Sequence, residues 1–134
     1  MTTRALYRVA AVLIFLFNLG HTANCPWSDP TWGVDLGAVQ SSRFNVLGFS
    51  RTYWDFYVGF GLSESVFLLL AAVLAWQLGG MPAGTLGPMR VVSWAFALSF
   101  AVVTILNWVY FFTIPITFSL LITICLTAAA WRSR

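Results

Sequence analysis

Residues 51–77 read RTYWDFYVGFGLSESVFLLLAAVLAWQ, from Arg51 to Gln77. The second half, Val66 to Trp76, is unbroken apolar side chain, while the first half carries Asp55, Ser63, Glu64 and Ser65 together with Gly59 and Gly61. A helix needs about 20 mostly apolar residues to cross a bilayer, and this run supplies them. A carboxylate deep inside such a helix costs roughly 2.5–3.5 kcal/mol on insertion scales. Glu64 sits near the middle of the run. What Glu64 and Asp55 face therefore decides what the protein does.

Composition agrees with the reading of that stretch. The 134 residues are 60% hydrophobic, 17% aromatic and only 8% charged, against about 25% charged in a soluble domain. A soluble fold of this size has no interior large enough for so much apolar surface, so the chain reads as an integral membrane protein. A bilayer admits closed barrels or helices. Barrel strands alternate in hydropathy over about ten residues, whereas the apolar runs here are continuous, which selects an all-α bundle. The net charge of +3 comes from arginine alone, with no lysine. No basic run with interleaved aromatics lies outside the apolar segments, which excludes a nucleic-acid partner.

Working outward from the quoted stretch, four transmembrane helices are predicted at about residues 5–22, 53–78, 90–110 and 115–131, forming a single domain over 1–134. The first follows Arg4 and Arg8; a signal peptide has the same opening, but HTANC at His21–Cys25 offers no small-x-small cleavage site, so a retained helix is expected. The second ends at GGMPAGTLGPM, residues 79–89, whose four glycines and two prolines signal a turn. Pro115 belongs in the first turn of the fourth helix, leaving a short connection that makes the last two helices antiparallel neighbours. The one long loop, 23–52, carries Trp27, Trp32, Phe44, Val46, Leu47 and Phe49 and is expected to fold back over the bundle mouth or to lie in the interface. Arg4, Arg8, Arg90, Arg132 and Arg134 fall on one side and Arg43 and Arg51 on the other. By the positive-inside rule both termini are expected in the cytoplasm and the loop on the extracytoplasmic side.

Polar residues concentrate in the half of each helix nearest that loop. Asn18 and His21 close the first helix, Asp55, Ser63 and Glu64 open the second, Thr104, Asn107, Trp108 and Tyr110 close the third, and Thr117 and Ser119 open the fourth. This segregation predicts a polar pocket inside the bundle, open toward the loop side. Asp55 and Glu64 are nine residues apart, about 900° of rotation and about 13 Å of rise, so they occupy opposite sides of the helix and form no dyad. One side is expected to meet the pocket and the other a neighbouring helix or a second chain. Asp55 also suits a helix cap with Arg51 as its ion-pair partner, His21 a hydrogen-bonded interfacial histidine, and Asn18 and Asn107 interhelical glue. Cys25 and Cys125 differ by about 15 Å in depth at 1.5 Å per residue, which argues against a disulfide.

The strings GHT at Gly20–Thr22 and RTYWDFYVGFGL at Arg51–Leu62, continued by SVFLLLAAVLAWQLG, resemble a family of small uncharacterised four-span bacterial membrane proteins. That resemblance covers nearly the whole chain and implies fold, topology and residence in the bacterial cytoplasmic (inner) membrane, but no activity. In architecture alone the chain is also similar to the sterol-isomerase and sigma-2-receptor group, with acidic residues in a lipid-sized pocket.

Three functions follow as expectations. The first is binding of a small hydrophobic or lipid-like ligand, with Asn18, Trp54, Tyr57, Asn107, Trp108 and Tyr110 around it. The second is an enzyme of proton-transfer chemistry (isomerisation, dehydration or epoxide opening) using His21 with Asp55, or Glu64 as the acid. The third is an accessory or self-associating subunit of a larger membrane complex. Membrane lipids are partners in every case. No motif for a metal, phosphate or cofactor occurs: the single histidine excludes a bis-histidine haem or His-rich site within one chain, and no CxxC, HExxH or phosphate-loop pattern is present.

Overall fold

The computed structural model describes residues 1–24 and 33–133. In chain order these hold α1 (Thr3–Asn24), α2 (Leu36–Ser41), β1 (Arg43–Val46), β2 (Phe49–Thr52), α3 (Tyr53–Leu78), α4 (Ala83–Leu86), α5 (Arg90–Tyr110) and α6 (Thr113–Arg132). The fold is all-α in class. Helices α1, α3, α5 and α6 are each long and apolar enough to cross a membrane, and leucine, valine, isoleucine and phenylalanine are widely exposed along them, as lipid-facing surfaces require. α3 and α5 keep the bounds expected from the sequence. α1 runs to Asn24 instead of Thr22, and α6 starts two residues earlier, at Thr113, so that Pro115 falls within its first turn.

The chain divides into two compact units, residues 1–17 with 68–134 and residues 18–67, the division falling within α1 and α3. In the first unit the core is built from Tyr7, Ala10 and Ile14 of α1, Leu68, Ala72 and Ala75 of α3, Ala97 and Phe100 of α5, and Ile122 and Leu126 of α6. Many of these are alanine, and small residues let membrane helices approach closely. α5 and α6 form an antiparallel hairpin around the two residues Phe111 and Phe112. Phe111 N–H caps α5 on Asn107 O at 3.0 Å, and Asn107 Nδ2 reaches across the turn to Pro115 O at 3.2 Å. Farther along, Thr104 Oγ1 and Thr123 Oγ1 meet at 3.0 Å. Asn107 is thus the interhelical bond expected of it.

In the second unit the long connection has structure of its own. Asp35 caps α2, accepting from Ala38 N–H at 3.1 Å. β1 and β2 pair antiparallel with Val46 opposite Phe49, so the turn between them is the two residues Leu47 and Gly48, at φ 51° and 86°. Positive φ at both central residues matches the right-handed twist of a hairpin and normally selects Asn-Gly. Here a leucine takes the first position, which hid the hairpin from a reading of turn residues. Phe44 packs on Tyr53 at 5.1 Å and Phe56 at 5.3 Å between ring centroids, and this folds the hairpin back onto the first turns of α3. Cys25, Trp27 and Trp32, on which part of the loop reading rests, lie outside the described residues.

Candidate functional site

α3 begins with a reciprocal cap. Thr52 N–H donates to Asp55 Oδ2 at 2.8 Å, and Asp55 N–H donates to Thr52 Oγ1 at 3.1 Å. This arrangement satisfies two amide donors that a helix start otherwise leaves without partners, and it accounts for Asp55 as a capping group. Arg51 does not take up the ion pair expected with it. Its Nη1 donates to Ser50 O at 2.8 Å, and its guanidinium stands 5.5 Å from the Phe49 ring centroid. An open groove of about 290 Å³ runs along this side of α3, lined by Arg51, Asp55, Phe56, Gly59, Phe60 and Ser63.

The buried line of α3 is a different one: Gly61, Ser65, Leu68, Ala72, Ala75 and Leu78, at spacings of three or four. Within residues 18–67, the end of α1 meets Gly61 and Ser65 through polar groups. His21 Nε2 is 2.9 Å from Gly61 O. A carbonyl only accepts, so Nε2 carries the hydrogen. Ser65 Oγ donates to the same Gly61 O at 3.1 Å and accepts from Thr22 Oγ1 at 2.9 Å, while Asn18 Oδ1 lies 3.3 Å from Thr22 Oγ1. Asn18, His21, Thr22, Gly61 and Ser65 therefore make one hydrogen-bonded latch between two membrane helices.

Glu64 is outside this latch. At about 100° per residue it lies some 60° around the helix from Gly61, beside Phe60 and Phe67, and it is exposed. Among the described residues no group bonds its carboxylate. The sequence expectation placed the pocket on one of two opposite sides of α3, that of Asp55 or that of Glu64. The buried line follows neither; it runs between them, and both carboxylates belong to exposed residues.

The remaining expected residues separate by unit. Trp54 and Tyr57 are half-buried and stack at 5.4 Å in residues 18–67. Asn107 is buried in the α5–α6 turn, and Trp108 and Tyr110 are each 74% exposed at the end of α5, where the aromatic belt of a membrane helix stands. His21 and Asp55 do not form a bonded pair: one holds Gly61 O and the other Thr52. Sequence reasoning missed Thr22, Gly61 and Ser65 as bonding partners of His21. Their signal was the pair of small residues Gly61 and Ser65, four apart and so on one face of the helix. The chain matches no protein-family model, no curated protein and no solved structure. The resemblance carried by Gly20–Thr22 and Arg51–Leu62 stays with those strings.

Proposed function

We propose that this protein is an association subunit of a membrane complex, which docks through the α3 face carrying Phe60, Glu64 and Phe67. The observation that carries the reading is Glu64 itself: exposed, about 16 Å from the start of α3 at 1.5 Å per residue, and bonded to nothing among the described residues. In hydrocarbon that placement costs about 2.5–3.5 kcal/mol. A helix of another chain that brings a hydrogen-bonding group to the level of Glu64 offsets the cost, and a second copy of this chain supplies such a group in its own Glu64. The latch supports the same reading, because it occupies the chain's own polar interhelical groups and leaves Glu64 over. In this account both termini face the cytoplasm of a bacterial cell, as the arginine asymmetry supports.

A photo-crosslinking residue at Phe60 or Phe67 tests the docking face. It captures a protein adduct in membranes, and the same residue at Val91, exposed on α5, does not. Equal capture from both helices, or capture of lipid alone, overturns the reading.

A second reading, binding of a small lipid-like ligand with a polar or cationic group, is favoured by the groove beside Asp55 and Ser63. Asp55→Asn tests it: the mutant loses a small molecule that co-purifies with the wild type and is seen by mass spectrometry.

A further inference from the structure

We propose that the end of the bundle carrying Arg4 and Arg8 holds an anionic glycerophospholipid, with its phosphate on Arg8 and an acyl chain in the groove between α1 and α3. Every residue used lies in the unit formed by residues 1–17 and 68–134, and the proposal is independent of the Glu64 face.

The Arg8 guanidinium stacks on Trp76, 3.6 Å from the ring centroid. Gly79 and Gly80 make room for it: a Cβ on Gly79 would stand 3.1 Å from Arg8 Cγ, and one on Gly80 3.2 Å from Arg8 Nη2. Arg8 is thus fixed in place with its stem against the end of α3. Its five N–H donors find no hydrogen-bond acceptor among the described residues. The sequence of this unit supplies no acidic side chain either. All four acidic side chains, Asp29, Asp35, Asp55 and Glu64, fall between residues 29 and 64, so this unit holds five arginines and no acidic side chain. A planar guanidinium with open donors is suited to bidentate binding of phosphate.

Trp76 joins the cation to an apolar groove. Its ring carries Arg8 and also walls a groove of about 370 Å³, floored by Ala11 and Ala72 and walled further by Val12, Phe15 and Val73. That volume is in the range of ligand sites, about 300–1,000 Å³. Ala11 and Val12 stand three and four residues after Arg8, and Phe15 stands four and three after them, so headgroup site and groove share one face of α1. A fixed cation without a counter-ion among the described residues, at one end of an apolar trough, matches the two parts of an anionic lipid. Inorganic phosphate has no use for the trough.

Native mass spectrometry of the full chain, released from mixed micelles of phosphatidylglycerol and phosphatidylcholine with identical acyl chains, tests the site. The wild type is expected to retain phosphatidylglycerol about five-fold over phosphatidylcholine, the preference one basic residue gives at a membrane surface. Arg8→Gln abolishes that preference, Val12→Trp lowers retention of both lipids by filling the groove, and Arg90→Gln changes neither. Equal retention of the two lipids by the wild type overturns the proposal, as does an unchanged preference in Arg8→Gln or unchanged retention in Val12→Trp. A loss in Arg90→Gln equal to that in Arg8→Gln reduces the effect to general charge and overturns it too. Displacement of phosphatidylglycerol by inorganic phosphate removes the groove from the account.

Discussion

Tyr7 is fully buried among apolar side chains, and its hydroxyl has no partner among the described residues. A buried hydroxyl left without a bond costs about 1–3 kcal/mol, and removing it without changing shape is neutral or stabilising. Tyr7→Phe is expected to stabilise the protein by about 1 kcal/mol in unfolding from mixed micelles. A loss of that size would reveal a partner for the hydroxyl. Leu47 makes a second case at this scale. It holds a left-handed conformation at φ 51° while 95% exposed, and a residue with a Cβ pays about 1–2 kcal/mol there. Leu47→Asn, which gives the turn its preferred Asn-Gly pair, is expected to recover about 1 kcal/mol by the same measurement. Neither position was visible beforehand, since burial of a phenol and the sign of a backbone angle are both set by tertiary contacts.

Among the elements, α3 joins local chemistry to long-range packing. Its cap is local: Thr52→Ala removes the oxygen that accepts Asp55 N–H and is expected to cost about 1 kcal/mol. Asp55→Asn keeps an oxygen for Thr52 N–H and is expected to cost less. An Asp55→Asn loss well above that of Thr52→Ala would assign Asp55 a role beyond the cap. The latch is long-range. Ser65→Ala and Thr22→Val each break its chain of hydroxyls and are expected to cost about 0.6 kcal/mol, the average for interhelical hydrogen bonds in a membrane. A double mutant that loses no more than either single mutant would show the two acting as one unit.

The same helix shows what a sequence displays and what it conceals. The bounds of α3 and α5 were legible because the glycines and prolines of residues 79–89 break the apolar run and Pro115 marks the first turn of the next helix, which are local signals. The role of Asn107 was legible because an asparagine close to a tight helical hairpin has few other partners. The hairpin over residues 43–52 was not, because its strands are four residues each and its turn lacks asparagine. The facing of Glu64 was not legible either. A period of 3.6 residues separates Asp55 from Glu64, but only packing against α1 selects the line through Gly61 and Ser65 as the buried one. Arg8 was read as a topology signal alone; its seat on Trp76 depends on residues nearly seventy positions apart.

For the whole molecule, four apolar helices and a one-sided distribution of arginine describe a protein whose surface is made for lipid. A reporter active only in the cytoplasm, fused after Arg134, is expected to be active, and the same reporter inserted at Gly48 inactive. The reverse pattern would invert the proposed orientation. What distinguishes this surface from that of an inert bundle is one carboxylate that meets no group among the described residues of its own chain. The most direct test is the mass of the protein released from native membranes, compared between wild type and Glu64→Leu. The account predicts that the wild type leaves the membrane in an assembly larger than one 14.9 kDa chain, and that Glu64→Leu leaves as a single folded chain. A wild type that emerges as a single chain, with Glu64→Leu indistinguishable from it, would contradict the account.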